Sequence, residues 1–63
     1  MALYQVKLIE GVESLPAGSS VLVKSEVEYE PYMFEVQDAF NAEYDTYLTM
    51  ADLNDNIEIV KLF

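Results

Sequence analysis

Sixty-three residues make one domain, and the absence of cysteine and histidine removes disulfide staples, thiolate zinc sites and thiol or imidazole catalysis. Twelve Asp and Glu against three Lys give a net charge of −9, which excludes direct nucleic-acid binding, because displacing counterions from phosphates takes cationic side chains. The same charge repels anionic membrane surfaces and draws in basic proteins.

In chain order, the stretch from Ala2 to Glu10 alternates Tyr4, Val6 and Leu8 against Gln5 and Lys7, the two-residue period of a strand covered on one face. The opening residues carry no basic segment followed by a long apolar run, and no stretch approaches 18 uncharged apolar residues. A soluble cytoplasmic protein is expected, in a host's cytoplasm if the chain is viral. Gly11 to Ser20 holds both glycines, Pro16 and three of the four serines, so it reads as a connecting loop. Gly11 and Gly18 do not make a phosphate loop, since no lysine follows Gly18 closely and the next element is a strand.

From Val21 to Tyr29 the odd positions Val21, Val23, Ser25, Val27 and Tyr29 alternate with Leu22, Lys24, Glu26, Glu28 and Glu30. This predicts a strand whose outward row is nearly all carboxylate. After Pro31 the apolar phase inverts to Tyr32, Phe34 and Val36, so Glu30-Pro31 reads as a corner between two strand segments. For residues 39–53 two patterns compete. A helical stripe runs through Val36, Phe40, Tyr44, Tyr47, Leu48 and Ala51; a strand pattern sets Tyr44, Thr46, Leu48 and Met50 against Asp45, Tyr47 and Thr49. A helix there would end on Asp52 and Asp55 at its negative pole with no Lys or Arg, so a hairpin turning near Asn41-Ala42-Glu43 is favoured. Asn54-Asp55-Asn56 is a turn, and Ile57 to Phe63 is a last strand that needs pairing.

The expected fold is therefore mainly β: a small, strongly bent antiparallel sheet or SH3-like barrel of about five strands. The alternative is an α+β fold with one helix at about 39–53. The Tyr44-Asp45-Thr46-Tyr47-Leu48 segment followed by a polar turn is similar in pattern to small SH3-like barrels, a likeness that covers no diagnostic motif.

Function is expected from binding and not from catalysis. Serines 14, 19, 20 and 25 have no histidine to activate them, and an exposed carboxylate row lacks the pocket that acid/base work needs. Asp52, Asn54, Asn56 and Glu58 echo a calcium loop, but Ile57 stands where the loop needs glycine and Phe63 where it needs glutamate. No metal or other cofactor is expected. On a strand, Glu26, Glu28 and Glu30 would span about 13 Å, a distance over which a nucleic-acid strand carries about four charges. With Glu35 beside them and Tyr32 as an aromatic anchor, they are the candidate partner-binding residues, facing a basic protein surface such as that of a nucleic-acid-handling enzyme or defence factor. The sharp form of this reading is a nucleic-acid mimic of the kind small viral inhibitors use; the ordinary form is a solvated sheet face. A chain that is 52% hydrophobic, with five Tyr and three Phe, has more apolar surface than so small a globule hides. Self-association is the second expectation, through Ile57, Ile59 and Phe63.

Overall fold

The computed structural model of the protein describes residues 1–12 and 15–63. The elements are β1 (Ala2–Leu8), β2 (Ser20–Ser25), α1 (Met33–Tyr44), α2 (Met50–Leu53) and β3 (Ile57–Lys61). The three strands form an open sheet of order β2-β1-β3, with both outer strands antiparallel to β1. β2 and β3 therefore run in the same direction, one on each side of β1. Parallel strands cannot be joined by a tight hairpin and need a crossover. Residues 26–56 make that crossover, and its two helices cover one face of the sheet.

Alternation in the strands builds the core. Ala2, Tyr4, Val6 and Leu8 of β1 and Val21 and Val23 of β2 are buried against Val36 and Phe40 of α1, Leu53 of α2 and Leu48 between the helices. Val36, Phe40 and Tyr44 recur every four residues, so they lie on one side of α1. Gly18 holds φ +90° in the turn before β2, where its N–H donates to the Leu8 carbonyl at 2.9 Å; a side chain there would be strained. Residues 13 and 14 of the expected loop, and with them Ser14, lie outside the described residues.

Several expectations are corrected. The fold is a mixed α+β with three strands in an open sheet, not an all-β barrel or bent sheet of five strands. The first expected strand segment stops at Ser25 instead of Tyr29, the second, after the Glu30-Pro31 corner, is replaced by the start of α1 at Met33, and the hairpin at 41–43 is absent, since Asn41, Ala42 and Glu43 lie inside α1. The helix begins at Met33, well before the range 39–53 named in the alternative, and ends at Tyr44. Its end is made by Asp45 in the left-handed conformation, whose N–H donates to the Asn41 carbonyl. The Asn41 side chain then accepts from Leu48 N–H at 2.7 Å, turning the chain back under the helix. Among the described residues no helix is long and apolar enough to cross a membrane.

Candidate functional site

The segment joining β2 to α1, residues 26–32, carries Glu26, Glu28, Glu30 and Tyr32. It leaves the sheet where Ser25 turns inward. Ser25 is only 3% exposed, and its hydroxyl donates to Glu35 Oε1 at 2.7 Å and accepts from Val27 N–H at 3.1 Å. Glu35 also accepts from the Tyr32 N–H at 2.9 Å, tying off the start of α1 in place of a side-chain cap from Tyr32. From below, the buried Tyr4 hydroxyl donates to the Val27 carbonyl at 2.6 Å. Pro31, itself buried, closes the segment. The backbone of this loop is thus pinned at Ser25, Val27, Pro31 and Tyr32.

Its side chains divide accordingly. Glu28 accepts from Lys61 Nζ at 3.4 Å and lies 3.5 Å from the Met1 α-ammonium. The Lys61 hydrogen bond and charge, with a smaller push from the ammonium, hold its carboxyl below the usual glutamate range. Glu26 and Glu30 are exposed and make no ion pair with the described residues. Tyr29 is 92% exposed, and Tyr32 and Phe34 are exposed together with rings stacked at 5.3 Å. The four glutamates consequently do not form a 13 Å ladder on a strand. Glu26 and Glu30 are free charges on a loop, Glu28 is matched by Lys61, and one oxygen of Glu35 is engaged inside the chain. Tyr29 and Phe34 were not singled out from sequence; the strand reading had placed Tyr29 on the covered face. Tyr32 is not a capping residue type, so the spacing Tyr32-x-x-Glu35 carries no recognisable helix-start signal, and no local pattern marks either ring as exposed.

A shallow cleft of ≈ 190 Å³ opens beside this loop between Met1, Lys24, Ser25, Glu26 and Glu35, smaller than the roughly 300–1,000 Å³ of pockets that enclose a small-molecule ligand. Of the calcium-like residues, Asp52 and Asn56 make local hydrogen bonds and Glu58 lies in β3, 3.8 Å from Lys7. Asp52 accepts from Thr49 N–H at 2.9 Å and Thr49 Oγ1 at 3.1 Å, while Asn56 bridges the Glu10 N–H and carbonyl at 2.8 and 3.1 Å. No group of three or more acidic side chains is placed to hold a metal ion among the described residues.

Of the residues expected at an oligomer interface, Ile57 and Ile59 are half-buried against this chain's own core. Phe63 is exposed beyond the end of β3, whose outer edge pairs with no strand of the sheet.

Fold and site together define a small two-layer α+β domain with an acidic, aromatic corner. No protein family, no curated protein and no solved structure matches the chain.

Proposed function

We propose that the protein is a non-enzymatic binding module whose loop 26–32 docks on a basic surface of another protein, one whose own ligand is nucleic acid. The observation that carries this reading is the alternation of unmatched carboxylates, Glu26 and Glu30, with the exposed rings Tyr29, Tyr32 and Phe34 on a pinned backbone. Proteins that bind single strands combine a cationic groove with stacking platforms. A mimic of their ligand must offer negative charge and π-faces together, and this loop offers both. Pinning matters because a backbone already held in place does not lose its freedom on binding, a cost of about 1–2 kcal/mol per residue fixed. We place the activity in the cytoplasm, that of a host if the chain is viral, in keeping with a sequence that has no cysteine to oxidise.

The test is capture from a lysate of the source organism by immobilised protein, washed at low and high salt and competed with a single-stranded oligonucleotide. Basic nucleic-acid-binding proteins are expected to be retained at low salt, displaced by the oligonucleotide, and lost with the Glu26→Lys/Glu30→Lys double variant. Retention unchanged by that variant in a folded protein overturns the reading. The competing reading is a self-associating structural subunit, favoured by the unpaired outer edge of β3 and the exposed Phe63. It predicts recovery of the protein alone, insensitive to salt.

A further inference from the structure

The helices cover one face of the sheet and leave the other bare, and this bare face mixes apolar side chains with the polar ones expected of a solvated antiparallel sheet. Leu22 is 61% exposed, Val60 46% and Leu62 43%, and all three lie on this face with Leu3. Its strand residues include Lys7, Lys24 and one carboxylate, Glu58, in a chain that carries −9 overall. The bare face is thus where two copies of so acidic a protein repel each other least.

The register fixes where its charges stand. Lys24 of β2 is opposite Leu3, and Leu3 bonds through its carbonyl to Leu62 N–H, so Lys24 and Leu62 mark the two ends of one row across the sheet. Glu58 is opposite Lys7, which in turn is opposite Ser20 of β2. Lys24 and Glu58 therefore occupy diagonally opposite corners. Lys7 is 3.8 Å from Glu58, whereas Lys24 makes no ion pair with the described residues.

We infer that the bare face binds a second copy of this chain, sheet on sheet, about a twofold axis running along the other diagonal, from Ser20 to Leu62. That axis exchanges the charged corners. Lys24 of each copy comes over Glu58 of the other, twice per dimer, while Leu3 meets Val60, Leu22 covers the Lys7 stem, and Leu62 and the central Gln5, opposite both Leu22 and Val60, each meet their own counterpart on the axis. With strands about 4.8 Å apart and about 3.3 Å per residue, that diagonal puts the strands of the two sheets at about 70° to each other, closer to the orthogonal than to the aligned way in which sheets pack. An axis parallel to the strands would instead put Lys24 over Leu62 and Glu58 over Ser20, with no charge matched. An isologous interface needs such self-complementarity, and only the crossed arrangement supplies it. Three strands about 4.8 Å apart and six residues long give a face of about 14 by 20 Å. This falls short of the roughly 800 Å² per partner of a standard interface, so the dimer is weak. The inference does not rest on the acidic loop, although Glu26 of that loop borders the Lys24 corner of this face at the shallow cleft.

Sedimentation equilibrium of the full chain from about 10 µM to about 1 mM, in the range where weak interfaces dissociate, should show a reversible monomer–dimer equilibrium. Lys24→Glu and Glu58→Lys should each weaken dimerisation about tenfold or more, since like charges then face each other at two places. The Lys24→Glu/Glu58→Lys double variant restores the native net charge and should recover the wild-type equilibrium to within a few-fold. Circular dichroism checks the fold of each variant. If either charge variant does not fold, Leu22→Thr, a β-compatible change at an exposed site, should still weaken the dimer. A monomer across the whole range overturns the inference. So does a dimer indifferent to both single swaps, a double variant that fails to recover, or a dimer abolished by Ile59→Pro alone, which would place the contact on the edge of β3.

Discussion

Ser25 and Glu35 meet side chain to side chain at 2.7 Å, joining the last residue of β2 to the first turn of α1 across the whole of the candidate loop. The same hydroxyl takes the Val27 N–H, so one buried oxygen serves as both donor and acceptor. Removing it with Ser25→Ala leaves a half-buried N–H without its partner and a carboxylate oxygen with one hydrogen bond fewer. The expected loss is about 1–3 kcal/mol, the cost of orphaning buried polar groups. Glu35→Gln keeps an acceptor for both Ser25 and the Tyr32 N–H and should cost less. Urea denaturation of wild type and the two variants checks the order; a Ser25→Ala midpoint equal to that of wild type would mean the Ser25 hydroxyl contributes nothing.

Asp45 closes α1 with φ 52° and ψ 53°, placing a carboxylate at the negative pole of a helix that has no basic residue in its last turn. Asparagine tolerates the left-handed conformation as well as aspartate does and carries no charge. Asp45→Asn should therefore raise stability by about 0.3–1 kcal/mol, with the gain shrinking as salt screens the pole. Thermal melts at low and high ionic strength test this. A loss of stability would show that the Asp45 carboxylate makes a contact worth more than the repulsion it causes.

The strands were legible because each has one covered face: the alternation at Tyr4, Val6 and Leu8 and at Val21 and Val23 reads directly as burial. The polar turn at 54–56 was legible from its short amide and carboxylate side chains, and Asp55 does take φ 56°. What misled was the continued alternation past Ser25. Glu26, Glu28 and Glu30 keep the strand period, but the residue between the last two, Tyr29, is almost wholly exposed, so nothing covers the other face. Periodicity cannot tell a covered face from a bare one; only the tertiary partner does, and here the pairing with β1 ends at Ser25. The helix was obscured for a different reason. Its stripe Val36, Phe40, Tyr44 was visible, but extending it to Tyr47, Leu48 and Ala51 ran past the end set by Asp45 and Asn41. The missing C-terminal cation, taken as an argument against a helix, is made good by hydrogen bonds that no local pattern announces. Thr49-x-x-Asp52, a capping spacing present in the sequence, marks the start of α2. In the site, Glu35 was grouped with the partner-facing glutamates because charge alone was visible, and its bonds to Ser25 and Tyr32 were not.

The Glu28–Lys61 contact gives stability a defined pH response. Lys61 lowers the Glu28 pKa from its ordinary value of 4.5, so folding favours the ionised carboxylate. Stability from this group is fully present above the unfolded value and is lost as pH falls through the lower folded value. Both partners are substantially exposed, so the contribution is small and salt-sensitive. The direct check is an NMR titration of the Glu28 side-chain carboxyl. Its midpoint should lie below 4.5 and move up toward that value in Lys61→Met. A midpoint unmoved by Lys61→Met would remove Lys61 as the cause.

Glu26 and Glu30 are exposed, free of ion pairs with the described residues, and embedded in a chain whose charge is −9. Self-repulsion of that size destabilises a compact state. Replacing both with lysine changes the charge by four units, from −9 to −5. Stability should therefore stay the same or rise, within about 0.5 kcal/mol of wild type as expected for surface sites, and the rise should vanish at high salt. Residues kept for folding would behave in the opposite way, as Ser25→Ala is expected to. Denaturation of the Glu26→Lys/Glu30→Lys variant at two salt concentrations, set beside its partner capture, separates the two roles. Unaltered or improved stability together with lost capture assigns these carboxylates to binding. A drop of more than about 1 kcal/mol would show that the fold itself depends on them.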